Sequence, residues 1–541
     1  MSTRTIAEPA AGTFRILVAD GLSARGLEPL ATDERFEIVE RTGLKGEELT
    51  RALDEVDAVI VRSATKITRE AMSSTQRLRI IGRAGVGVDN IDVSAATERG
   101  IAVLNAPSGN TISAAELTLA LLLAVARRVP AADRSMKAGE WERKGFSGTE
   151  LNGKTLGLVG AGRIGGEVAK RARAFGMGVI AYDPFLTEDR ARELELERVS
   201  LDGLLERSDF VTLHVPLTES TRGLIAAPQL AHMKAGAIVV NASRGGVVDE
   251  EALVDALRAG RLRGAGLDVF SQEPLPADHA LRTLDNAVLT PHLGASTAEA
   301  QELVALEIAA AIRDALLHDD LSSAVNAPAI AGEEMRRMRP LLDLAMRMGR
   351  LTCALADGAI ARVDIRYAGG LGEVMRPLAS AACIGILGEV VGRNAINLVN
   401  ALVLAHSRGI EIVRTRLAEM TDYAEYAEIR VVTESGEVLV AGALRDGAFP
   451  RIVRIGPFNI DVRPYGSLVI LRNRDVPGVI GRVGTVLGRA SVNIAEYHQA
   501  RLEAGGEALA AINVDSLLGP DVVNELNGLP DVLEVKQVIL E

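Results

Sequence analysis

The sequence has few of the residues from which disulfide frameworks, metal clusters and membrane spans are built. Cysteine occurs twice in 541 residues, at Cys353 and Cys383, and histidine occurs seven times. Two cysteines are too few for a disulfide framework or a zinc cluster, and this scarcity favours a reducing compartment. The longest apolar run lies around residues 117–126, which is too short to span a bilayer.

Positive charge is also scarce. The chain has 60 Lys and Arg against 72 Asp and Glu, a formal net charge of −12, so we find no basic stripe for nucleic acid. The opening residues, MSTRTIAEPAAGTF, lack the apolar core of a signal peptide, and the first dozen are expected to form a disordered tail. We therefore expect a soluble cytoplasmic protein whose partners are small molecules or copies of itself.

Apolar residues and glycine are abundant, at 48% and 53 residues, which fits a packed α/β protein of three or four domains. Strand-like segments at residues 15–20, 36–40, 58–63, 79–84 and 101–106 alternate with helical ones. Such alternation predicts a parallel sheet whose ligands lie beyond the carboxyl ends of the strands. The candidate substrate residues at these ends are Arg62, Ser63, Arg83, Gly85 and Asn110.

Residues 156–183, LGLVGAGRIGGEVAKRARAFGMGVIAYD, form a strand–helix–strand unit with a glycine-rich turn. Gly160 permits the tight turn, Gly162 lets the backbone approach a pyrophosphate, and Gly165 allows close packing of helix on strand. Phosphates would lie at the helix N-terminus. Asp183 ends the second strand, where its carboxylate can accept hydrogen bonds from the ribose hydroxyls of NAD and would repel the 2′-phosphate of NADP. This pattern predicts binding of NAD in preference to NADP.

Further strands are predicted at residues 210–216, 237–246, 264–270 and 287–292, and the helices at 113–128 and 297–317 would connect two domains. We expect a discontinuous first domain of residues 14–106 and 293–325, with a dinucleotide domain of residues 107–292 inserted into it. Composition changes from residue 326, and residues 326–465 form a mixed α+β region in which 371–405 is mostly helical. Residues 467–541 follow a βαββαβ order typical of a ferredoxin-like domain.

Three residues at strand ends suit hydride transfer from a 2-hydroxy acid. His292 can take the hydroxyl proton at neutral pH. Glu273 can hydrogen-bond its other ring nitrogen and raise its pKa. Arg244 offers a planar fork for a carboxylate. Taken singly, Arg244 could cap a turn and Glu273 could be a surface residue. The other six histidines are better interpreted as exposed to solvent or as hydrogen-bonded within the core.

The motifs GAGRIG with Asp183, NASRGGVVDEEAL, GLDVFSQEP and PHLGAST together resemble the D-isomer-specific 2-hydroxyacid dehydrogenase family over residues 14–325. The resemblance implies two doubly wound parallel-sheet domains, with Arg244 orienting the substrate, Glu273 partnering the histidine and His292 as acid/base. It also implies contacts with NAD from a larger set of residues. These are Gly160, Gly162, Arg163, Ile164, Gly165, Asp183, Pro216, Ala242, Ser243, Arg244, Asp268, His292, Gly294 and Ala295.

Two cations beside the crevice, Arg62 and Arg83, suit a phosphorylated acid better than lactate or glyoxylate. Residues 141–144, WERK, could add more from a neighbouring subunit, although Arg62 could instead bind the carboxylate. VRSATKIT, GRAGVGVDNID and WERKGFSG resemble the long form within this family, which carries an intervening regulatory domain and an ACT domain. That resemblance implies oxidation of 3-phosphoglycerate with NAD⁺, the entry step of serine biosynthesis, in a homotetramer.

The last segment resembles an ACT domain, an amino-acid-binding module that works where two copies pair. We expect serine to bind there as an allosteric effector, between Asp475 of one chain and Asn493 of another. Asn473 departs from the His or Tyr that relatives carry at its position, and this difference bears on the affinity. An ACT domain that only joins subunits is the alternative.

Two other functions remain open at the level of sequence. One is a glyoxylate or hydroxypyruvate reductase of the same family, in which phosphate-binding arginines and an ACT domain would be absent. The other is an NAD-sensing regulatory or scaffolding protein, against which the presence of Arg244, Glu273 and His292 argues.

Overall fold

The structure is a computed structural model that describes residues 12–418 and 422–540. The tail expected over the first dozen residues lies, apart from Gly12, outside the described residues. The strands form four sheets of five, seven, six and four members. Within the described ranges no helix is both long enough and apolar enough to cross a membrane.

The first sheet is parallel throughout, with the order β2-β1-β3-β4-β5. Its strands are β1 (Phe14–Val18), β2 (Phe36–Glu40), β3 (Ala58–Val61), β4 (Ile80–Arg83) and β5 (Ala102–Asn105), and its helices are α1 (Glu28–Ala31), α2 (Gly46–Asp54) and α3 (Val93–Glu98). The order reverses between β1 and β3, and doubly wound sheets bind ligands at such a switch point. We call the unit built on this sheet the first lobe.

Helix α4 (Thr111–Arg127), followed by α5 (Val129–Lys137), carries the chain from the first sheet to the second. The buried residues of α4 are mostly apolar, and Leu121 and Leu122 lie in the core of the second sheet. Ser113, in its first turn, donates a hydrogen bond to the carbonyl of Gly294 at 2.8 Å. The helix therefore begins beside the loop that carries His292.

The second sheet is also parallel, with the order β12-β11-β10-β9-β6-β7-β8. Its strands are β6 (Thr155–Val159), β7 (Gly178–Tyr182), β8 (Glu197–Arg198), β9 (Phe210–Leu213), β10 (Ile238–Asn241), β11 (Gly264–Leu267) and β12 (Ala287–Leu289). The helices between them are α6 (Arg163–Ala174), α7 (Glu188–Glu193), α8 (Leu201–Arg207), α9 (Ala227–His232) and α10 (Glu250–Arg258). The order reverses between β6 and β9, as in dinucleotide-binding sheets. We call this unit the second lobe.

Helix α11 (Ala298–His318) returns the chain to the first lobe. Val304, Ile308 and Ile312 of this helix are buried in the core of the first sheet. A Cβ at Gly26 would lie 2.3 Å from the Cβ of Ala305, so the close approach of α11 needs a glycine there. The two parallel sheets and these packing helices confirm the predicted α/β class.

The third sheet has the order β14-β13-β15-β16-β17-β18 and is mostly antiparallel. It comprises β13 (Ile360–Gly369), β14 (Glu411–Arg416), β15 (Glu425–Thr433), β16 (Gly436–Arg445), β17 (Phe449–Ile455) and β18 (Phe458–Val462), packed against α12 (Gly332–Leu355), α13 (Met375–Val391) and α14 (Ala401–His406). The sequence predicted a mostly helical stretch over 371–405, and α13 and α14 occupy most of it. Helix α13 ends before Gly392, whose φ of 94° suits glycine. Strands β17 and β18 were not predicted.

The fourth sheet is antiparallel, with the order β20-β21-β19-β22. Its elements are β19 (Gly466–Arg474), α15 (Val479–Arg489), β20 (Ile494–Arg501), β21 (Glu507–Val514), α16 (Pro520–Asn527) and β22 (Val532–Leu540). This is the βαββαβ succession that the sequence predicted. The α+β character of the chain beyond residue 326 is thereby confirmed.

Candidate active site

Three neighbouring strands of the second sheet end at one edge and carry the predicted catalytic side chains there. Arg244 follows β10, Glu273 follows β11, and His292 follows β12. These strands are adjacent and parallel, so their carboxyl ends lie side by side. The approach is close, because a Cβ at Gly245 would lie 1.9 Å from the carbonyl oxygen of Phe270. Only glycine at this position lets the loops after β10 and β11 pack together.

His292 and Glu273 form a hydrogen-bonded pair. Nδ1 of His292 lies 2.8 Å from Oε2 of Glu273, and both side chains are partly exposed. The hydrogen bond to Glu273 raises the pKa of His292 and outweighs the opposing effect of burial. Burial alone would raise the pKa of Glu273, but the hydrogen bonds from His292 and from the Phe270 N–H bring it below its usual value. Nε2 of His292 is left for a substrate.

The loop that carries His292 is held by a buried carboxylate. Asp268 is 0% exposed. Its oxygens accept hydrogen bonds from the Thr290 hydroxyl at 2.6 Å, the Leu293 N–H at 2.7 Å and the Gly294 N–H at 2.9 Å. Burial raises the pKa of Asp268. This carboxylate fixes the backbone on both sides of His292, whose own φ is 54°. A contact between Asp268 and NAD stays a prediction.

Arg244 reaches from the second lobe across to the first. Its Nε donates to Oδ2 of Asp89 at 3.1 Å, and its Nη1 donates to the carbonyl of Ser243 at 2.7 Å. The loop that carries it is braced by Asn241, whose amide donates to the Arg244 carbonyl at 2.9 Å. The positive charge of Arg244 influences the pKa values of both Glu273 and His292. The crevice between the lobes thus brings the three predicted catalytic residues together.

The first lobe adds two further guanidinium groups to this crevice. Burial and the charges of Arg244 and Arg62 lower the pKa of Arg83 to about 10. The buried Nε of Arg83 has no hydrogen-bond partner among the described residues, although its Nη1 donates to the carbonyl of Ala84. A Cβ at Gly85 would lie 1.5 Å from Nη1 of Arg83. Three cations close enough to repel one another favour an anionic ligand.

The remaining predicted substrate residues lie at neighbouring strand ends. Ser63 is exposed and follows Arg62 directly after β3. Asn110 immediately precedes helix α4, and its buried amide oxygen has no partner within the described chain. The predicted cations of the WERK segment are exposed, and Trp141 itself is 79% exposed.

The glycine-rich turn has the geometry that a dinucleotide needs. Gly160 has a φ of 94°, and a Cβ there would lie 2.6 Å from the carbonyl oxygen of His214. A Cβ at Gly165 would lie 2.3 Å from the carbonyl oxygen of Gly160. A Cβ at Gly162 would meet nothing within 4 Å, so space for a ligand lies beside the turn. The first N–H groups of α6, which begins at Arg163 and Ile164, have no intrahelical acceptors and suit phosphates.

Asp183 lies at the tip of β7, where the sequence places it. Its Oδ2 accepts from the Ala161 N–H at 2.9 Å, and its Oδ1 accepts from the Phe185 N–H at 2.8 Å. Each carboxylate oxygen has a second lone pair with which it can accept a ribose hydroxyl. The carboxylate therefore ties the strand tip to the glycine-rich turn beside the proposed ribose position.

The other predicted cofactor residues line the same edge of the second sheet. Pro216 follows β9 and is exposed, and Ala242 and Ser243 follow β10. Ser243 is anchored because its N–H and hydroxyl both donate to Oδ1 of Asn241, at 3.0 and 2.8 Å. Gly294 and Ala295 lie in the loop after His292, next to the first turn of α4.

Several residues that shape the crevice were missed by the sequence analysis. Asp20, at the end of β1, accepts from the Arg62 N–H at 2.6 Å and from the Thr65 hydroxyl at 2.7 Å. The Asn90 amide donates to the carbonyls of Arg62 and Thr65 at 2.7 and 2.6 Å. Asp20 follows a strand as Arg62 does, so the same strand-end argument could have found it. No motif or periodicity in the sequence around Asp89 indicates that this residue contacts Arg244.

The predicted effector residues lie apart from this crevice, on the fourth sheet. Asp475 accepts from Nη1 of Arg501 at 2.9 Å, and this pairing lowers the pKa of Asp475. Asn493 donates to Oδ2 of Asp515 at 2.7 Å. Asn473 is 0% exposed, and its amide oxygen has no partner in the described part of the chain.

The chain is similar to known proteins over almost its whole length. Residues 119–294 match the family model of the D-isomer specific 2-hydroxyacid dehydrogenase NAD binding domain, and residues 337–456 match that of the D-3-phosphoglycerate dehydrogenase intervening domain. D-3-phosphoglycerate dehydrogenase of Synechocystis sp. is 43% identical over 96% of this chain and 94% of its own. The enzyme of the same name from Methanocaldococcus jannaschii is 42% identical over 97% of this chain and 100% of its own.

Solved structures resemble the two lobes. The TT0316 protein of Thermus thermophilus is 41% identical, with a TM-score of 0.53 over 57% of this chain and 99% of its own. A glyoxylate reductase from Paecilomyes thermophila is 34% identical, with a TM-score of 0.53 over 58% of this chain and 98% of its own.

Proposed function

The chain belongs to the D-3-phosphoglycerate dehydrogenase family, and we propose that it oxidises 3-phosphoglycerate to 3-phosphohydroxypyruvate, the first step of the phosphorylated route to serine. It is an NAD-dependent oxidoreductase of the 2-hydroxyacid dehydrogenase class. The observation that carries the proposal is the meeting, in one crevice, of the His292–Glu273 pair with three guanidinium groups. A base and a cluster of cations are what an anionic 2-hydroxy acid requires.

The residues at the crevice divide the reaction between them. NAD⁺, when bound, supplies the acceptor for the hydride on C2 of the substrate. His292 takes the proton of the C2 hydroxyl on Nε2, while Glu273 holds Nδ1 and stabilises the imidazolium that forms. Arg244 binds the C1 carboxylate and the oxygen that becomes a carbonyl. Hydride and proton leave together, so the substrate becomes the 2-oxo acid and the products are NADH and one proton.

Arg62 and Arg83 hold the phosphate in this proposal. Phosphate carries more charge than the hydroxyl that replaces it in D-glycerate, and guanidinium groups bind its oxygens in a planar, bidentate way. Burial, and then repulsion by Arg244 and Arg62, lowers the pKa of Arg83, and an anion that enters the crevice relieves the repulsion. In this proposal, the preference of the enzyme for 3-phosphoglycerate depends on these two side chains.

Rates of NADH formation with 3-phosphoglycerate, D-glycerate and D-lactate test the assignment. We expect kcat/KM to be highest for 3-phosphoglycerate, and equal or absent rates for all three would overturn the proposal. Arg62→Ala separates the two roles open to that residue. A phosphate ligand would lose only the preference for 3-phosphoglycerate over D-glycerate, whereas a carboxylate ligand would lose activity on both.

We also propose that L-serine inhibits the enzyme allosterically through the fourth sheet. The βαββαβ order and the loop that carries Asp475 support this effector site, with Asn493 contributed by a second chain. Activity and Tm would be followed with L-serine up to millimolar concentration, in the wild type and in Asp475→Ala. We expect L-serine to inhibit the wild type and to have no effect on Asp475→Ala. If L-serine changes neither quantity, the sheet only joins subunits.

The proposal extends to organisation and location. We propose that the four sheets belong to domains of residues 14–106 with 293–325, 107–292, 326–465 and 467–541. We propose a homotetramer in the cytoplasm: the serine site needs at least two chains, the resemblance to the long form implies four, and the cysteine content suits a reducing compartment. Light scattering coupled to gel filtration checks the assembly, and a monomer in the presence of NAD would contradict it.

A further inference from the structure

A second carboxylate contacts the proposed carboxylate-binding arginine, and it comes from the opposite lobe. Oδ2 of Asp89, in the turn after β4, accepts from Nε of Arg244 at 3.1 Å. Asp89 is 68% exposed and Arg244 is 26% exposed at the side chain. An exposed ion pair of this kind contributes little to stability. The effect of this ion pair is therefore on the position of Arg244 and not on the stability of the fold.

The pair decides which edge of the guanidinium is available. A guanidinium has five N–H donors in a planar fork. The Nε donor is taken by Asp89, and one Nη1 donor is taken by the carbonyl of Ser243 at 2.7 Å. Three donors remain, one on Nη1 and two on Nη2, and a carboxylate can accept two of them as parallel hydrogen bonds.

The turn that carries Asp89 is itself fixed to the other substrate residues. The neighbouring Asn90 donates to the carbonyls of Arg62 and Thr65 at 2.7 and 2.6 Å. On its other side, a Cβ at Gly87 would lie 1.9 Å from Nη2 of Arg244 and 2.7 Å from Oδ2 of Asp89. The guanidinium therefore lies against bare backbone, and its position is set by the first lobe as well as by its own loop.

Asp89 also faces the other cations of the crevice. Its charge raises the pKa of Arg83, against the lowering effect of burial and of Arg244 and Arg62. Asp20 also influences Arg83, but its oxygens accept hydrogen bonds from the Arg62–Thr65 loop. Asp89 thus lowers the repulsion that would push Arg244 away from the first lobe.

We propose that Asp89 is a positioning residue for the reaction: it holds Nε of Arg244 from the opposite lobe, so that the Nη1–Nη2 edge meets the substrate carboxylate when the lobes enclose it. The inference rests on the proposed function and adds a residue that acts through Arg244. A misplaced orienting group slows hydride transfer more than it weakens binding of the cofactor.

Kinetics of Asp89→Ala, Asp89→Asn and Gly87→Ala with 3-phosphoglycerate test this role. Asp89→Ala should lower kcat/KM by about 10- to 100-fold, with kcat reduced, the Kd of NAD unchanged and the isotope effect of C2-deuterated substrate increased. Asp89→Asn keeps an oxygen acceptor and should recover most of kcat. Gly87→Ala adds a methyl group against Nη2 and should reproduce the Asp89→Ala pattern without loss of fold.

Asp285→Asn is the matched control. Asp285 also forms an exposed ion pair with an arginine, Arg134, at an N···O distance of 3.3 Å, and this pair lies outside the crevice. A lower KM with unchanged kcat in Asp89→Ala would overturn the proposal, since Asp89 would then be a counter-ion that the substrate displaces. Unchanged kinetics in Asp89→Ala would also overturn it. A wild type inactive on 3-phosphoglycerate would refute the proposed function, and the positioning role with it.

Discussion

The hydrogen bond between Glu273 and His292 sets the pH at which the imidazole can accept a proton. The carboxylate raises the pKa of His292 above that of an ordinary histidine. As the pH falls, His292 is therefore protonated, and lost as a base, at a higher pH than an ordinary histidine would be. In the oxidation direction kcat/KM should therefore decline on the acid side. Glu273→Gln should move this acid limb to lower pH, because the imidazolium loses its anionic partner.

A pH–rate profile of the wild type and Glu273→Gln measures this shift. NAD binding, followed at one pH in both proteins, serves as the control for an intact crevice. An acid limb that stays in place, or moves to higher pH, would show that Glu273 does not tune His292.

Asp183 is expected to decide between the two nicotinamide cofactors. Its carboxylate lies beside the glycine-rich turn and would repel a 2′-phosphate. Asp183→Ala should narrow the ratio of kcat/KM for NAD over NADP. Because the carboxylate also accepts the Ala161 and Phe185 N–H groups, some loss of Tm is expected as well. An unchanged cofactor ratio would place the ribose elsewhere.

The proximity of residues at strand ends could be predicted from sequence, because the carboxyl ends of parallel strands lie at the same edge of a sheet. Arg244, Glu273 and His292 were found in this way, and the structure brings them together. The contact between Asp89 and Arg244 could not be found, since 155 residues separate them and neither lobe alone indicates the other's position. The supporting residues Asp20, which is buried, and Asn90, which is partly exposed, were missed because polar residues in turns have many ordinary roles.

At the scale of elements, helix α6 offers a test of packing against the glycine-rich turn. A Cβ at Gly165 would lie 2.3 Å from the backbone oxygen of Gly160, which cannot move without displacing the turn. Gly165→Ala should therefore lower Tm and weaken NAD binding. Gly166→Ala is the matched control, because its Cβ would meet only the Leu194 side chain at 3.4 Å.

Alanine at position 166 should be neutral or stabilising by up to about 1 kcal/mol, since alanine favours a helix interior over glycine. Thermal unfolding and a fluorescence titration with NADH compare the two variants. If both alanines are tolerated equally, helix α6 does not depend on close packing at Gly165.

Element boundaries followed from sequence where a strong local signal was present. Strand β2 coincides with the range of residues 36–40 that was predicted for it, because its pattern is bounded by turn residues. Strands β17 and β18 were missed, since arginines in one and a short, polar-interrupted pattern in the other hide their pairing. Most of their apolar residues are buried in the core that α12 and the rest of the third sheet share, which is a tertiary effect.

On the scale of the whole molecule, the region beyond residue 326 docks on the first lobe through asparagines. Asn397 donates to the carbonyl of Gly100 at 2.8 Å, and Asn400, which is 0% exposed, accepts from the Asn397 N–H at 2.8 Å. Asn400→Ala should leave buried groups unpaired and destabilise the protein by about 1–3 kcal/mol. Asn394→Ala, at an exposed position of the same loop, is the control.

Urea unfolding followed by intrinsic fluorescence and by activity measures the difference. Equal midpoints for the two variants would show that this contact does not hold the regions together. The partners are 297 residues apart in sequence, so no periodicity could have predicted the contact. The two parallel sheets and the order of elements around the fourth sheet, by contrast, could be predicted because each follows from its own local alternation of elements.

The central claim is that one imidazole in the crevice between the lobes acts as the base for the bound 2-hydroxy acid. His292→Asn tests it most directly, because asparagine tolerates the positive φ at this position and keeps the loop intact. With His406→Asn as an exposed control, kcat for NADH formation from 3-phosphoglycerate should fall by about 10²- to 10⁴-fold, while the Kd of NAD is unchanged. Turnover close to that of the wild type in His292→Asn would contradict the account.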